Sequence, residues 1–236
     1  MSDVTSASHR RGVYSSPCKQ ITYSGVTVMA HLAHVLELVK THRLLLQADA
    51  HLPNVCTLVT GEPVRGSWWG HPRSHEIFRV NCSLAGHPDV LLLKLISEKN
   101  TYVHRALWPA IVAVGQARES WQMGGLSRDA LVLLEKLERG SPLETSGGSS
   151  KAASELEKLL LIHSEQFHTE SGSHARSLES WDAWRRRRNF KHVLPRVPQA
   201  KRQLEGVLEV LNAEFGGRGR LPWQRRTESG RTSRRL

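Results

Sequence analysis

Apolar residues with helical spacing begin abruptly at Met29, after a polar stretch rich in Ser and Thr. That stretch, residues 1–28, has no apolar periodicity with which to build a core, and we predict that it is disordered. From Met29 the helical spacing continues as far as Leu44 and Leu45, which predicts a single helix. The abrupt change also suggests that Met29, and not Met1, is the start of translation. The intact mass of the natively expressed protein tests this hypothesis.

The pattern between residues 29 and 122 predicts an N-terminal unit of helices and one hairpin. A connection rich in Pro and Gly, residues 53–66, leads to Gly66–Pro72, where two Trp between two Gly predict a loop whose indole rings are sheltered by packing. A helix, two strands joined by a tight turn, and a second helix with Pro109 in its first turn are predicted next. The first helix is expected over residues 73–85, the two strands over 90–96 and 101–105, and the second helix over 107–117.

The segment from 123 to 190 has the order of a winged helix. Ser127 is a plausible N-cap for an amphipathic helix that ends at Gly140, and Ser149 or Ser150 caps a second helix after the linker 141–148. A strand, a turn and a returning strand are predicted over residues 161–168, 170–173 and 174–178. Helix, loop, helix and hairpin together indicate a winged-helix-like module. The predicted fold class is therefore α+β, mainly α, with basic amphipathic helices after the module.

A winged helix places a short helix in the major groove of DNA and its hairpin on the backbone or in the minor groove. The candidate reading helix is 150–160. The candidate contact residues are Lys151, Ser154 and Lys158 on this helix and Thr169, Ser173, His174 and Arg176 on the hairpin. Helices that read base edges usually carry Arg, Asn or Gln, whereas Glu155 and Glu157 balance the two Lys here. We therefore expect contacts mainly to phosphate.

Positive charge is concentrated at the C-terminal end of the chain. Residues 176–236 contain 16 Lys and Arg against 6 Asp and Glu, and so carry +10 of the formal net charge of +11. A block of charge on one terminal segment indicates an anionic partner.

The densest part of this block is the run Arg185, Arg186, Arg187 and Arg188, in a predicted helix 179–190 that also carries Trp181 and Trp184. At least two of the four must face solvent, where a guanidinium group binds phosphate. The alternative is a solvated helix end that interacts with the helix dipole. On the first interpretation, Ala at all four positions weakens DNA binding and leaves thermal stability nearly unchanged.

The C-terminal unit, 191–223, is predicted to contain an amphipathic helix over 199–215, after Pro195 and Pro198. The Gly-rich stretch that follows carries Arg218, Arg220 and Trp223. A mobile Gly/Arg stretch with one Trp is suited to phosphate contact and base stacking, and it is equally suited to a docked Trp anchor. The tail, 224–236, contains five Arg and is predicted to be disordered.

Several kinds of chemistry find no support in the sequence. Three Cys without a CxxC pair argue against a disulfide framework or a zinc finger, and His168 with His174 are too few ligands for a metal site. We predict no cofactor. The chain has no GxSxG, P-loop or HExxH motif. Three carboxylates lie near the basic region and are most simply ion-pair partners, namely Glu165, Glu170 and Asp182. No run is long enough to span a membrane and no signal segment is present, which predicts a cytoplasmic protein.

Three runs resemble an uncharacterised family of bacterial proteins: Gly66–Pro72, Thr101–Pro109 and His168–His174. This resemblance covers most of residues 60–223 and implies no activity. The last portion resembles, more loosely, the winged-helix region of bacterial crosslink-repair DNA glycosylases. No stretch matches the glutamine-based catalytic motif of those enzymes, so the resemblance implies a DNA-binding scaffold without implying catalysis.

The sequence therefore predicts a nucleic-acid-binding protein that contacts phosphate, with DNA favoured over RNA. Two alternatives stay open: a DNA-repair enzyme of the base-excision glycosylase type on the same scaffold, and an interaction protein that binds an acidic partner. The target sequence and the oligomeric state are not predicted.

Overall fold

The computed structural model describes residues 25–140, 142–146, 150–168 and 174–224. Within them the chain is α+β and mainly helical, with two three-stranded antiparallel sheets, which confirms the predicted fold class at that level. The helices are α1 Gly25–His42, α2 Val55–Thr60, α3 Ser74–Ala85, α4 Trp108–Gly115, α5 Ser120–Met123, α6 Arg128–Arg139, α7 Lys151–Lys158, α8 Trp181–Arg187 and α9 Val197–Phe215. The strands are β1 Leu44–Leu46, β2 Val90–Ile96, β3 Lys99–His104, β4 Leu143–Ser146, β5 Ile162–His168 and β6 His174–Ser180.

The first sheet, in the order β1-β3-β2, is buried on both faces. Successive residues of a strand point to opposite sides, so Leu91 and Val103 join one core while Val90 and Tyr102 join the other. The first core is closed by apolar residues of α4 and α9, and the second by those of α1, α2 and α3. Burial on both faces explains why β2 is an almost unbroken apolar run.

Two elements of this unit differ from the sequence-based expectation. The first helix ends at His42, because Arg43 adopts a left-handed conformation with φ of 66°. Leu44–Leu46 is strand β1, fully buried and paired with β3, and is not part of the helix. The predicted connection 53–66 contains α2, where the Asn54 side chain accepts a hydrogen bond from the Thr57 N–H at 2.9 Å.

The start of the chain and the Trp loop also differ from expectation. Residues 1–24 lie outside the described part of the chain, but α1 already begins at Gly25, before Met29. In the loop, Trp68 is half-buried, whereas Trp69 is 62% exposed and stacks on Trp68 with 4.0 Å between ring centroids. The expectation that both indoles are sheltered is wrong for Trp69.

The second unit follows the predicted order of helix, helix and hairpin, with one addition. Ser127 and Ser150 cap α6 and α7 through their side-chain oxygens, as predicted. Strand β4 lies in the predicted linker and pairs with β6, which gives a sheet in the order β4-β6-β5. Strand β4 was not predicted because its sequence has no alternation of apolar and polar residues that distinguishes it from a loop. Its partner β6 is also more than 25 residues away in the chain.

Helix α8 connects the two units. The Trp181 indole N–H donates a hydrogen bond to the Leu160 carbonyl oxygen at 2.6 Å, and Trp184 is completely buried against Trp108 of α4. Gly115, the last residue of α4, lies directly against the Trp181 indole, where a Cβ atom has no room.

We expect Gly115→Ala to destabilise the protein by about 1–3 kcal/mol, because the added methyl group overlaps the buried Trp181 ring. Gly206→Ala is the matched control, since its Cβ atom meets no atom within 4 Å and α9 continues on both sides. This control is expected to gain roughly 0.5–1 kcal/mol from helix propensity. Urea unfolding measures both, and an unchanged midpoint for Gly115→Ala contradicts the packing described.

Candidate nucleic-acid interface

Helix α7 offers fewer free groups than the sequence suggests. Lys151 is exposed and Ser154 is half-buried, but Lys158 binds Glu98 at 2.7 Å. Glu155 accepts hydrogen bonds from the backbone and the hydroxyl of Ser127 at 2.9 and 2.7 Å, and these bonds hold the pKa of its carboxyl below the usual range. Much of the polar face of α7 therefore binds other parts of the protein, namely Ser127 before α6 and Glu98 in the turn between β2 and β3.

The hairpin residues of the predicted site are only partly described. Arg176 lies on the α7 side of the second sheet and binds the buried carboxylate of Glu157 at 2.5 Å, so it is a structural contact. Thr169 and Ser173 lie outside the described residues. For His174 the structure gives the backbone position in β6, paired with His168.

A buried charged cluster occupies the opposite face of the second sheet. Glu179 is 2% exposed, and its carboxylate lies 3.1 Å from Nδ1 of His163 and accepts hydrogen bonds from Arg187 Nη2 at 2.5 Å and Nε at 3.1 Å. Burial alone raises the pKa of Glu179, but the hydrogen bonds from His163 and Arg187 outweigh burial and leave this pKa below its usual value. The same bond to Glu179 raises the pKa of Arg187.

The four consecutive arginines consequently have different environments. Arg187 neutralises Glu179 and also lies 3.4 Å from Glu165, which makes it a structural residue. Arg186 is exposed, whereas Arg185 and Arg188 are half-buried, with the Arg188 guanidinium 5.9 Å from the centroid of the Trp108 ring. The expectation that all four can become Ala without loss of stability is therefore wrong for Arg187, because its removal leaves a buried carboxylate without its cation.

The Gly-rich segment after α9 is docked against the first sheet. The backbone N–H of Ser97 donates to the Arg220 carbonyl oxygen at 2.8 Å, and Gly217 and Gly219 lie so close to Leu52 that a Cβ atom has no space. The side chains of Arg218 and Arg220 remain exposed.

Trp223 is held in place by contacts on several sides. Its indole N–H donates to Glu205 at 2.6 Å, its ring lies 5.7 Å from that of Trp121, and Lys201 is 5.4 Å from its centroid. Of the two interpretations of Trp223, the structure has the docked anchor. A role in base stacking requires this docking to be undone.

Two of the three carboxylates near the basic region have partners. Glu165 binds Arg187, as the ion-pair interpretation predicts, and Asp182 accepts a hydrogen bond from the Gln116 side chain at 2.7 Å. Glu170 lies outside the described residues. Among the residues that are described, no three His, Cys, Asp or Glu side chains come together as metal ligands.

The structure adds a surface of which sequence reasoning included only Arg188, the segment 188–196, which we call the basic loop. Lys191, His192, Val193 and Arg196 are all exposed there. Two features of the sequence could have identified this loop. Positive charge continues beyond Arg188, and Pro195 prevents a helix from extending through the segment.

Unpaired positive charge extends beyond the Arg run to other residues between 176 and 224. Of the eleven Lys and Arg between 176 and 224, eight have no carboxylate within 4.0 Å among the described residues. They are Arg185, Arg186, Arg188, Lys191, Arg196, Arg202, Arg218 and Arg220. Six of the eight are exposed and available for an external anion, whereas Arg185 and Arg188 are half-buried.

Replacing Glu179 by Gln is expected to cost about 1–3 kcal/mol at neutral pH, because the buried carboxylate that accepts two hydrogen bonds from Arg187 loses its charge. The pKa of Glu179 is lowered on folding from its ordinary value of 4.5, so its stabilising contribution is present above that value. The contribution is lost as the pH falls through the lower folded-state pKa. The contribution of the Glu179 charge to the stability difference between the wild type and Glu179→Gln is therefore complete from neutral pH down to about 5, and it decreases in more acidic solution.

Urea unfolding at a series of pH values measures this difference. Glu209→Gln on the exposed side of α9 is the control, and we expect it to change stability by less than about 0.5 kcal/mol. If Glu179→Gln is less stable than the wild type by the same amount down to the lowest pH at which both proteins fold, the charge of Glu179 is not the cause of the difference.

Comparison with protein-family models, with curated proteins and with solved structures finds no match for this chain. No helix in the described ranges is long and apolar enough to cross a membrane. The functional conclusion therefore depends on the charge and geometry of the residues described above.

Proposed function

We propose that the protein binds nucleic acid, with DNA favoured over RNA, chiefly through phosphate contacts. The observation that carries the proposal is the set of eight cations between 176 and 224 that have no carboxylate partner among the described residues. A protein surface that neutralises several phosphates binds by releasing counterions, which requires cations that are not already paired.

The second unit supports the choice of DNA. Its order of α6, β4, α7, β5 and β6 suits a winged-helix-like module, in which a helix and a hairpin approach the duplex together. Lys151 is the exposed cation of α7, while Glu155, Glu157 and Lys158 are engaged in internal contacts. A helix with so few free polar groups favours backbone contact over the reading of base edges.

The cations of α8 and the basic loop are the best candidates for the phosphate contacts. Arg186, Lys191 and Arg196 are exposed and lie within eleven residues of one another. An exposed Arg or Lys contributes little to folding, so its removal tests binding without testing stability.

The triple variant Arg186→Ala, Lys191→Ala, Arg196→Ala is expected to bind duplex DNA more weakly, with a log–log salt slope reduced by about 0.9 for each phosphate that the variant no longer neutralises. Fluorescence anisotropy with short duplexes of unrelated sequence, over a range of KCl concentrations, measures both quantities. The decrease in affinity should be similar for every sequence, because phosphate is common to all of them.

Its control is Lys40→Ala, Arg65→Ala, Arg105→Ala, which removes the same charge from exposed positions in the first half of the chain, where Lys40 pairs with Glu37 and Arg105 with Asp89. If affinity falls equally in both triple variants, general charge and not this surface is responsible. If the wild-type protein fails to bind duplex DNA at low salt, the proposed function is wrong.

A further inference from the structure

Val193 is 92% exposed and is the most exposed large hydrophobic side chain in the described part of the chain. A single exposed apolar residue is ordinary on a protein surface and needs no function of its own. Val193 differs because of its position in the basic loop, where Lys191 and His192 precede it and Arg196 follows.

The basic loop is fixed at both ends, so Val193 is held outward by its neighbours. Phe190 and Leu194 are partly buried and pack against the core of the first sheet, and the Phe190 ring centroid lies 5.3 Å from that of Trp184. The Phe190 N–H donates to the Arg185 carbonyl oxygen at 2.8 Å, and Asn189 takes a left-handed conformation with φ of 48°. Lys191, His192 and Val193 are therefore exposed between two anchors, with the His192 ring centroid 4.7 Å from that of Phe190.

The charges around this tip determine which partner suits it. Lys191, Arg196 and nearby Arg186 have no carboxylate within 4.0 Å among the described residues. An apolar side chain between unpaired cations fits a partner that has negative charge on both sides of an apolar slot. A nucleic-acid duplex has this pattern, because each groove lies between two phosphate backbones.

The Lys191–Val193 segment is a loop and not a helix, which favours the minor groove. The major groove, about 12 Å wide, admits a whole helix, whereas the minor groove is about 6 Å wide and suits a narrow loop. Proteins that use the minor groove place Arg and Lys along it and insert an apolar side chain against the sugars or between base steps.

We propose that the basic loop enters the minor groove of a DNA duplex, with Val193 making the apolar contact and Lys191 and Arg196 binding the flanking phosphates. This inference rests on the proposed function and adds to it the element, the groove and the residue that contact the duplex. The two kinds of contact differ in their response to salt. Cation–phosphate contacts weaken as salt rises, whereas the contribution of an apolar contact is nearly independent of salt.

The test compares Val193→Ala with Val210→Ala, a substitution of the same size at a position on α9 that is 62% exposed. We expect Val193→Ala to weaken binding to an A·T-rich duplex about fivefold at every salt concentration, with the salt slope unchanged. Val210→Ala should bind as the wild type does. Both side chains are exposed, so neither variant is expected to change the thermal unfolding midpoint.

Netropsin, a small ligand that fills the minor groove of A·T-rich DNA, tests the groove itself. We expect it to displace the wild-type protein from the duplex. The inference is wrong if Val193→Ala binds with the affinity of the wild type, or if the protein and netropsin bind the same duplex without competition. In either case a steep salt dependence of wild-type binding still supports the proposed function. An absence of wild-type binding at low salt removes the proposed function, and the two failures are thereby distinguished.

Discussion

The burial of α8 between the two units is the interaction on which the other features depend. Trp181 reaches the carbonyl oxygen of Leu160 at the end of α7, and Trp184 enters the core that α4 and α9 share with the first sheet. Two tryptophans on one short helix bury a large apolar area, since each indole contributes on the order of 150–250 Å². Because both side chains point inward, the rotation of α8 about its own axis is fixed. Every arginine that follows is oriented by that constraint.

Helical geometry then assigns each arginine its role. Residues three and four apart share a face, so Arg187 and Arg188 fall near the line of Trp184, while Arg186 falls on the outer side. Arg187 meets Glu179 at the end of β6, and Arg188 lies over the Trp108 ring. The helix ends here, and the left-handed conformation of Asn189 turns the backbone at the start of the basic loop. The exposed cations thus follow from how two buried indoles are placed.

The sequence predicts the elements that carry their own periodicity. Helix α9 and the hairpin of β2 and β3 have apolar repeats long enough to identify them, and Ser127 signals the start of α6 directly. Strands β1 and β4 escaped detection because their existence depends on hydrogen bonds to β3 and β6, partners that are distant in the chain. Helix α2 was not predicted from the sequence for a different reason. Its caps, Asn54 and Gly61, are the same residue types that mark a loop, and its six residues are too few to show a repeat.

Charged contacts in the candidate interface are also hard to predict from sequence, because they too depend on partners elsewhere in the chain. A count of charges correctly locates the basic end of the chain, but it treats every arginine alike and cannot detect which carboxylate lies beside it. Arg176 and Arg187 meet Glu157 and Glu179 across strands and helices, so pairs that are remote in sequence remove two of the predicted contacts. The basic loop was overlooked because its charge is less dense than the Arg run. The density of charge along the chain is therefore a poor guide to which cations an external phosphate can reach. In the densest run, Arg187 is structural, Arg185 and Arg188 are half-buried, and Arg186 is exposed, whereas Lys191 and Arg196 of the sparser loop are both exposed.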